Sequence, residues 1–452
     1  MHSARYPVGM SRLATAKTFR RVMGAIYAIA FVSFGAQAAG LIGSNGILPL
    51  SAFLDAVRQA LGARGYWYVP TVLWLWPGDA ALAVVWLAGA LCGLVALAGW
   101  KQRVALAGCW VLWLSICSVG QDFLSFQWDM LLLEAGFLAM FAGGSLLPVW
   151  LFRILAFRLM FSSGVVKLAS GDPEWRRLTA LNFHYETQPL PTPLAWLMQQ
   201  LPDALQRASV VAVFAIELVV PLLFFAPRPL RVIGAWITIG FQVFILLTGN
   251  YAYFNWLTIA LCLWLFIEPE RKVTRGGVAL AVPVGLLSLM TVAGVFGVTL
   301  PEPAEQLMGL AGPLRIVNSY GLFAVMTTTR PEIQVEGSND GENWQPYEFR
   351  YKPGDVRRAP PIVAPHQPRL DWQMWFAALG SYRQNRWFVR FAEKLLRGEP
   401  VVVRLLAKNP FPKSPPKYVR ARVFQYHFTG FGEPGWWRRE EQGEYLPPVS
   451  LR

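Results

Sequence analysis

Apolar runs recur through the first three hundred residues of this chain, and most approach the roughly 20 residues that a helix needs to cross a bilayer. They are Val22–Ile42, Asp79–Ala98, Val104–Val119, Met130–Leu147, Trp150–Leu168, Ser209–Phe225, Val232–Thr248, Asn255–Ile267 and Gly277–Val298. Such a succession commits the chain to a polytopic α-helical membrane bundle of about nine spans, the shorter ones being open to a re-entrant reading. Composition agrees: 54% of the residues are hydrophobic and only 15% are charged. The basic start (Arg12, Lys17, Arg20, Arg21) leads into a first run long enough to remain as a span, so no cleavable signal is expected there.

The net charge of +14 raises the question of a nucleic-acid partner. The basic residues, however, are scattered between apolar runs rather than gathered on one stripe, and no nucleic-acid partner is expected. Lys101/Arg103, Arg153, Arg228/Arg231 and Arg271/Lys272/Arg275 fall at alternate ends of successive spans. The positive-inside bias therefore places them, with the N-terminus, on the cytoplasmic side. The segments Ser44–Thr71, Ser118–Trp128, Ala169–Ala208, Gly249–Phe254 and everything after Leu300 then face the periplasm of a bacterium or the lumen of the endoplasmic reticulum.

From Pro301 the hydropathy drops, dividing the chain into a membrane domain (1–300) and an extracytoplasmic C-terminal domain (301–452) of α+β or β-sandwich-like type. Leu314–Thr327, Glu332–Gly337 and Val419–Phe428 read as strands, and Ser338-Asn339-Asp340-Gly341 as a hairpin turn into Trp344–Tyr351. Leu370–Leu379 and Trp387–Leu396 read as helices, Arg386–Arg397 having an amphipathic, basic character that suits either packing on the domain or docking on headgroups. Asn409–Lys417 is a Pro-rich surface loop, and a polar, flexible tail is expected from Gly432.

One stretch, Met160–Pro193, does not read as spacer. It opens apolar around Lys167 and passes into a loop dense in Asp172, Glu174, Trp175, Arg176, Arg177, His184, Tyr185 and Glu186. Other ionisable groups sit in or beside apolar runs: Asp129, Glu134, Arg153, Arg158 and Glu217. A lone charge at bilayer depth costs several kcal/mol, so these groups should pair inside the bundle or line a hydrated cavity. Lys167 is open to two readings, a structural cation paired with Glu217 or Glu134, or a desolvated base near the outer face. Trp128-Asp129 and Trp175 read as interfacial anchors. His184, His366 and His427 lack metal-ligand spacing, so no metal is expected. All four cysteines (Cys92, Cys109, Cys117, Cys262) lie in apolar runs, which argues against a disulfide framework or a thiol-exchange role. No hydrolase or nucleotide motif stands in a suitable setting, and no cofactor is called for.

Several long strings resemble the lipase maturation factor family of multi-pass membrane proteins. They are Ser125–Phe137 (SFQWDMLLLEAGF), Leu168–Trp196, Gly249–Leu257 (GNYAYFNWL), Tyr320–Pro331, Glu336–Gly341, Tyr351–Asp355, Ala364–Leu379 (APHQPRLDWQMWFAAL) and Asn409–Tyr426. The resemblance implies a non-enzymatic maturation factor or chaperone of the secretory compartment, whose vertebrate members are required for certain secreted lipases to mature into active dimers. Its partners would be a client lipase or similar secreted protein and membrane lipid. The working parts would be the Ala169–Ala208 loop and the C-terminal domain; the loop's density of hydrogen-bonding and aromatic groups makes Trp175, Arg176, Arg177, His184 and Tyr185 the candidates for contacting the client or ordering the loop. A shorter likeness, Gly164-Val165-Val166-Lys167-Leu168 with Asp172 and Trp175, is to the membrane domain of vitamin K-dependent carboxylase-like proteins. It implies the alternative, an enzyme acting on a lipid-soluble substrate with Lys167 as base and Glu134 or Glu217 setting its pKa.

Overall fold

The computed structural model describes residues 12–451. Among the described residues, seven helices are long and apolar enough to cross a membrane. They are α1 (Arg12–Ile42), α2 (Asp79–Ala98), α3 (Gln102–Val119), α5 (Leu146–Ala169), α6 (Asp203–Phe225), α7 (Arg228–Thr248) and α9 (Arg275–Val295). Two shorter helices, α4 (Gln127–Phe141), which carries Asp129 and Glu134, and the apolar α8 (Phe254–Leu265), lie between them in the chain.

Contacts at the two ends of the bundle show that α4 and α8 traverse it as well. At one end, Arg12 Nε donates to Glu268 O (2.6 Å), Gln102 Nε2 to Lys17 O (3.2 Å) and Arg20 to the Ala139 carbonyl (3.2 Å). Glu270 N donates to Gly144 O (2.8 Å) there, and Arg231 Nε to Leu265 O (2.8 Å). At the other end, Ser44 N donates to Asp79 Oδ1 (2.8 Å), Asn182 Nδ2 to Asp203 Oδ1 (2.6 Å) and Thr192 Oγ1 to Leu247 O (2.6 Å). Successive helices thus run alternately up and down, seven long ones and two short. The first end carries Arg12, Lys17, Arg20, Arg21, Lys101, Arg103, Arg153, Arg228, Arg231, Arg271, Lys272 and Arg275.

Small residues set the closest crossing. A Cβ on Gly24 of α1 would stand 2.6 Å from Gly93 O of α2, so only glycine permits this approach. In α6, Pro221 has no N–H to give and its ring would strike the carbonyl four residues back, at Glu217. The helix widens into a π-turn over Ala215–Val219 and continues as 3-10 to Phe225.

The C-terminal region forms one antiparallel sheet in the order β2-β1-β3-β4, with β1 (Pro331–Ser338), β2 (Gln345–Pro346), β3 (Tyr418–Phe428) and β4 (Trp437–Val449). Helices α10 (Arg369–Ala378) and α11 (Arg386–Leu396) complete an α+β unit with a single sheet. α11 buries Trp387, Phe388, Phe391, Ala392, Leu395 and Leu396 on one face, so its amphipathic pattern serves packing on the domain.

Three expectations need correction. Leu314–Thr327 is not a strand. Its backbone N–H groups go to side chains of the bundle and loop, Asn318 N to Glu134 (2.9 Å), Gly321 N to Gln127 (3.1 Å) and Met326 N to Asp172 (3.0 Å), which leaves no ladder to form. The tail from Gly432 is not flexible: Trp437–Val449 pairs along β3 as an edge strand, and its charges are those that a solvent-facing edge carries. Trp128-Asp129 and Trp175 are no interfacial anchors, because Trp128 and Trp175 are each 2% and Asp129 0% exposed.

Candidate functional site

The loop Ala169–Ala208 sits between the bundle and the C-terminal domain, and several of its polar groups bond to one or the other. Asp172 caps the short helix Pro173–Arg176, its Oδ1 accepting from Glu174 N (2.8 Å) and Trp175 N (3.2 Å), while its Oδ2 accepts from Met326 N. Trp175 is buried; its Nε1 donates to Phe323 O (2.9 Å) and its ring lies 5.3 Å from Lys167 Nζ. Glu186 accepts from Phe428 N (2.7 Å) and faces His427 Nδ1 (2.9 Å). Trp196 Nε1 donates to Thr429 O (2.8 Å).

The strongest clasp was not visible in the sequence. Arg330, 0% exposed, donates to the carbonyls of Glu186 (2.6 Å), Gln188 and Pro189 (2.9 Å) and to Glu332 Oε1 (2.9 Å), and lies over the Trp437 ring. Asn250 plays the same part from the bundle side. Its Nδ2 donates to Leu190 O (3.1 Å) and Pro361 O (2.9 Å), and its Oδ1 accepts from Val363 N (2.6 Å) and Ala364 N (2.9 Å). An arginine just before a strand and an asparagine in a Gly-Asn-Tyr turn have ordinary local meanings, so neither announced itself.

All three buried acids of the bundle are paired. Asp129 accepts from both terminal nitrogens of Arg369 (2.9 Å each) and from Tyr253 Oη (2.6 Å). Glu134 accepts from Arg158 (2.7 Å), Asn318 N (2.9 Å) and Tyr320 Oη (2.8 Å). Glu217 accepts from Lys167 Nζ at 3.0 and 2.8 Å, and Lys167 also donates to Ser163 O (3.1 Å). Lys167 therefore pairs with Glu217, not Glu134. Gly164 lets the π-turn come near enough: a Cβ there would stand 2.7 Å from Leu218 and 3.0 Å from Glu217 Cβ. Charge-assisted contacts of this kind offset desolvation only when every remaining donor and acceptor is met.

Beside the Lys167–Glu217 pair lies a cavity of about 330 Å3, walled by α5, α6, α7, the start of α8, the loop and Leu322-Phe323. His184 and Tyr185 line it with Trp175; Arg176 and Arg177 do not, and both are exposed to solvent. The His184 ring stands edge-on to Phe323 (centroids 4.8 Å) and to Tyr185 (5.8 Å). Burial, and then the nearby Lys167 charge, lower its pKa from the ordinary 6.5 to about 4, so the imidazole is neutral at pH 7. Burial raises the Tyr185 phenol to about 12, keeping it protonated. Phe323 itself holds φ at +54°, a conformation a non-glycine residue keeps only when its surroundings fix it, here the His184 and Tyr251 rings. Among the described residues, no group of three or more His, Cys, Asp or Glu side chains is placed to hold a metal ion.

Fold and site together define a polytopic membrane protein in which an ordered loop, at the end opposite the basic residues, is clamped between the bundle and an α+β domain. The chain belongs to the lipase maturation factor family. The family's "Lipase maturation factor transmembrane domain" profile matches residues 14–272 and its "Lipase maturation factor C-terminal domain" profile residues 316–447. Lipase maturation factor 2 of Homo sapiens is 37% identical over 587 aligned residues, covering 96% of this chain and 82% of that protein. Lipase maturation factor 2 of Gallus gallus is 36% identical (95% and 80% covered), and lipase maturation factor 1 of Bos taurus 35% (95% and 88%). No solved structure matches.

Proposed function

We propose that this chain is a membrane maturation factor that assists folding and assembly of a secreted lipase or similar client. The basic end of the bundle faces the cytoplasm, and the loop and C-terminal domain face the lumen of the endoplasmic reticulum or the periplasm. The membrane domain ends near residue 300, and the remainder is the client-facing domain. The observation that carries this reading is the Arg330 clasp, which makes the loop and the α+β domain one rigid body on a single face of the membrane. A rigid, largely pre-formed surface holds a folding intermediate at less ordering cost than a mobile one.

Within that surface, Trp175, His184 and Tyr185 order the loop from inside, and the exposed Arg176 and Arg177 contact the client. The test replaces Arg176 and Arg177 together by serine in cells lacking the native protein. Secreted lipase activity and co-purification of the client should fall while membrane abundance of the factor is unchanged. Arg330→Met should instead lower activity by unclamping the loop, seen as new protease cleavage within 169–208. Full activity and client capture in the double serine variant would remove the contact role.

A further inference from the structure

We propose that the cavity between α5, α6, α7 and α8 binds a neutral single-chain lipid with a hydroxyl head, the head at His184 and the tail between α6 and α7. The inference concerns a ligand and is independent of the client reading above. The walls are apolar, with Leu159, Met160, Ile216, Phe241 and Phe244 prominent. Ala212 and Phe244 line the cavity and are exposed, as are their neighbours Val211 (51%) and Val243 (39%), so the cavity reaches the surface between α6 and α7 on the side that meets the hydrocarbon layer. At about 330 Å3 the cavity lies at the small end of ligand pockets, with room for part of one acyl chain and not for two.

The polar end selects the head. Lys167 and Glu217 already neutralise one another, so a charged head beside them would be left unpaired in a dry site. Among the described residues, none hydrogen-bonds to the His184 ring nitrogens, whereas a neutral imidazole carries one donor and one acceptor. In the wall at α8, Asn255 is 1% exposed, and its Oδ1 is likewise unpartnered, although its Nδ2 donates to Gln242 Oε1 (2.8 Å). Unmet donors and acceptors in the wall of an apolar pocket match a group that both gives and receives a hydrogen bond, which a hydroxyl does.

The experiment uses the full chain in nanodiscs of phosphatidylcholine and a monoacylglycerol carrying a diazirine in its acyl chain. Photolabelled peptides should map to α6 and α7, and unlabelled monooleoylglycerol should displace the probe at about tenfold lower concentration than oleate. His184→Phe should weaken labelling about tenfold, the loss expected for a single hydrogen bond. Ala212→Trp, at the lipid-facing rim where folding is not at stake, should abolish it. Labelling confined to other helices, labelling unchanged in both variants, or displacement by oleate as effective as by monooleoylglycerol would overturn the proposal.

Discussion

The Asp129–Arg369 pair joins the membrane bundle to the C-terminal domain across 240 residues of sequence, and breaking it should separate the two. Asp129 is 0% and Arg369 1% exposed. In Arg369→Met the carboxylate loses two of its three hydrogen bonds, keeping Tyr253 Oη, and Phe123 O loses the 2.7 Å bond from Arg369. Charge-assisted bonds contribute about 1.5–3 kcal/mol each, and stranding one member of a buried pair costs about 3–5 kcal/mol, so we expect a loss in the latter range. Asp129→Leu strands the guanidinium under the Phe34 and Trp113 rings at similar cost. The double variant Asp129→Leu/Arg369→Met removes both charges and should leave a loss of only about 1 kcal/mol, giving a coupling of about 5 kcal/mol or more. Denaturant unfolding of the purified protein in detergent, followed through a probe in each domain, measures the cycle. Additive losses below about 1 kcal/mol in each single variant would refute the argument that this pair fastens the domains.

The Lys167–Glu217 pair should behave alike: Lys167→Ala lowers membrane abundance, Lys167→Met with Glu217→Leu restores it, and client activity follows abundance throughout. Normal accumulation of both Lys167→Ala and Lys167→Arg with lost client activity would instead make the amine chemically active and revive the enzyme reading. His184 predicts acid sensitivity. Its native pKa of about 4 lies below the ordinary 6.5, so between these values the unfolded chain binds more protons and stability falls as pH drops, with no effect above 6.5. The full span amounts to about 3 kcal/mol, and His184→Phe should flatten that part of the pH–stability curve; an unchanged slope would show that the ring titrates normally.

Much of the bundle was legible in the sequence because hydrocarbon imposes a simple rule. Each apolar run had to be a helix, and the basic residues at alternate turns fixed which ends lie together, even for the short α4 and α8. The charges inside the membrane could be flagged for the same reason, since an unpaired one is too costly to persist. Their partners could not all be read, because pairing depends on three-dimensional position. Lys167 had two acids to choose from, and the π-turn at Pro221 together with Gly164 decided for Glu217. Arg369 and Arg330 carry no local mark of burial, and only the fold encloses them fully.

The C-terminal errors have one cause. Leu314–Thr327 has the β-branched and apolar content of a strand, yet the bundle and loop offered its amides side-chain acceptors first. The segment after Gly432 has the charge of a tail, yet β3 offered it a ladder. Thus the sequence by itself determined the membrane architecture and the family, through hydrophobic length, basic-residue placement and long shared strings. Tertiary structure alone decided which buried charges meet, that the loop is clamped rather than free, and that a cavity lies beside Lys167. Those outcomes turn on competition for hydrogen-bond partners between residues far apart in the chain, which no local pattern encodes.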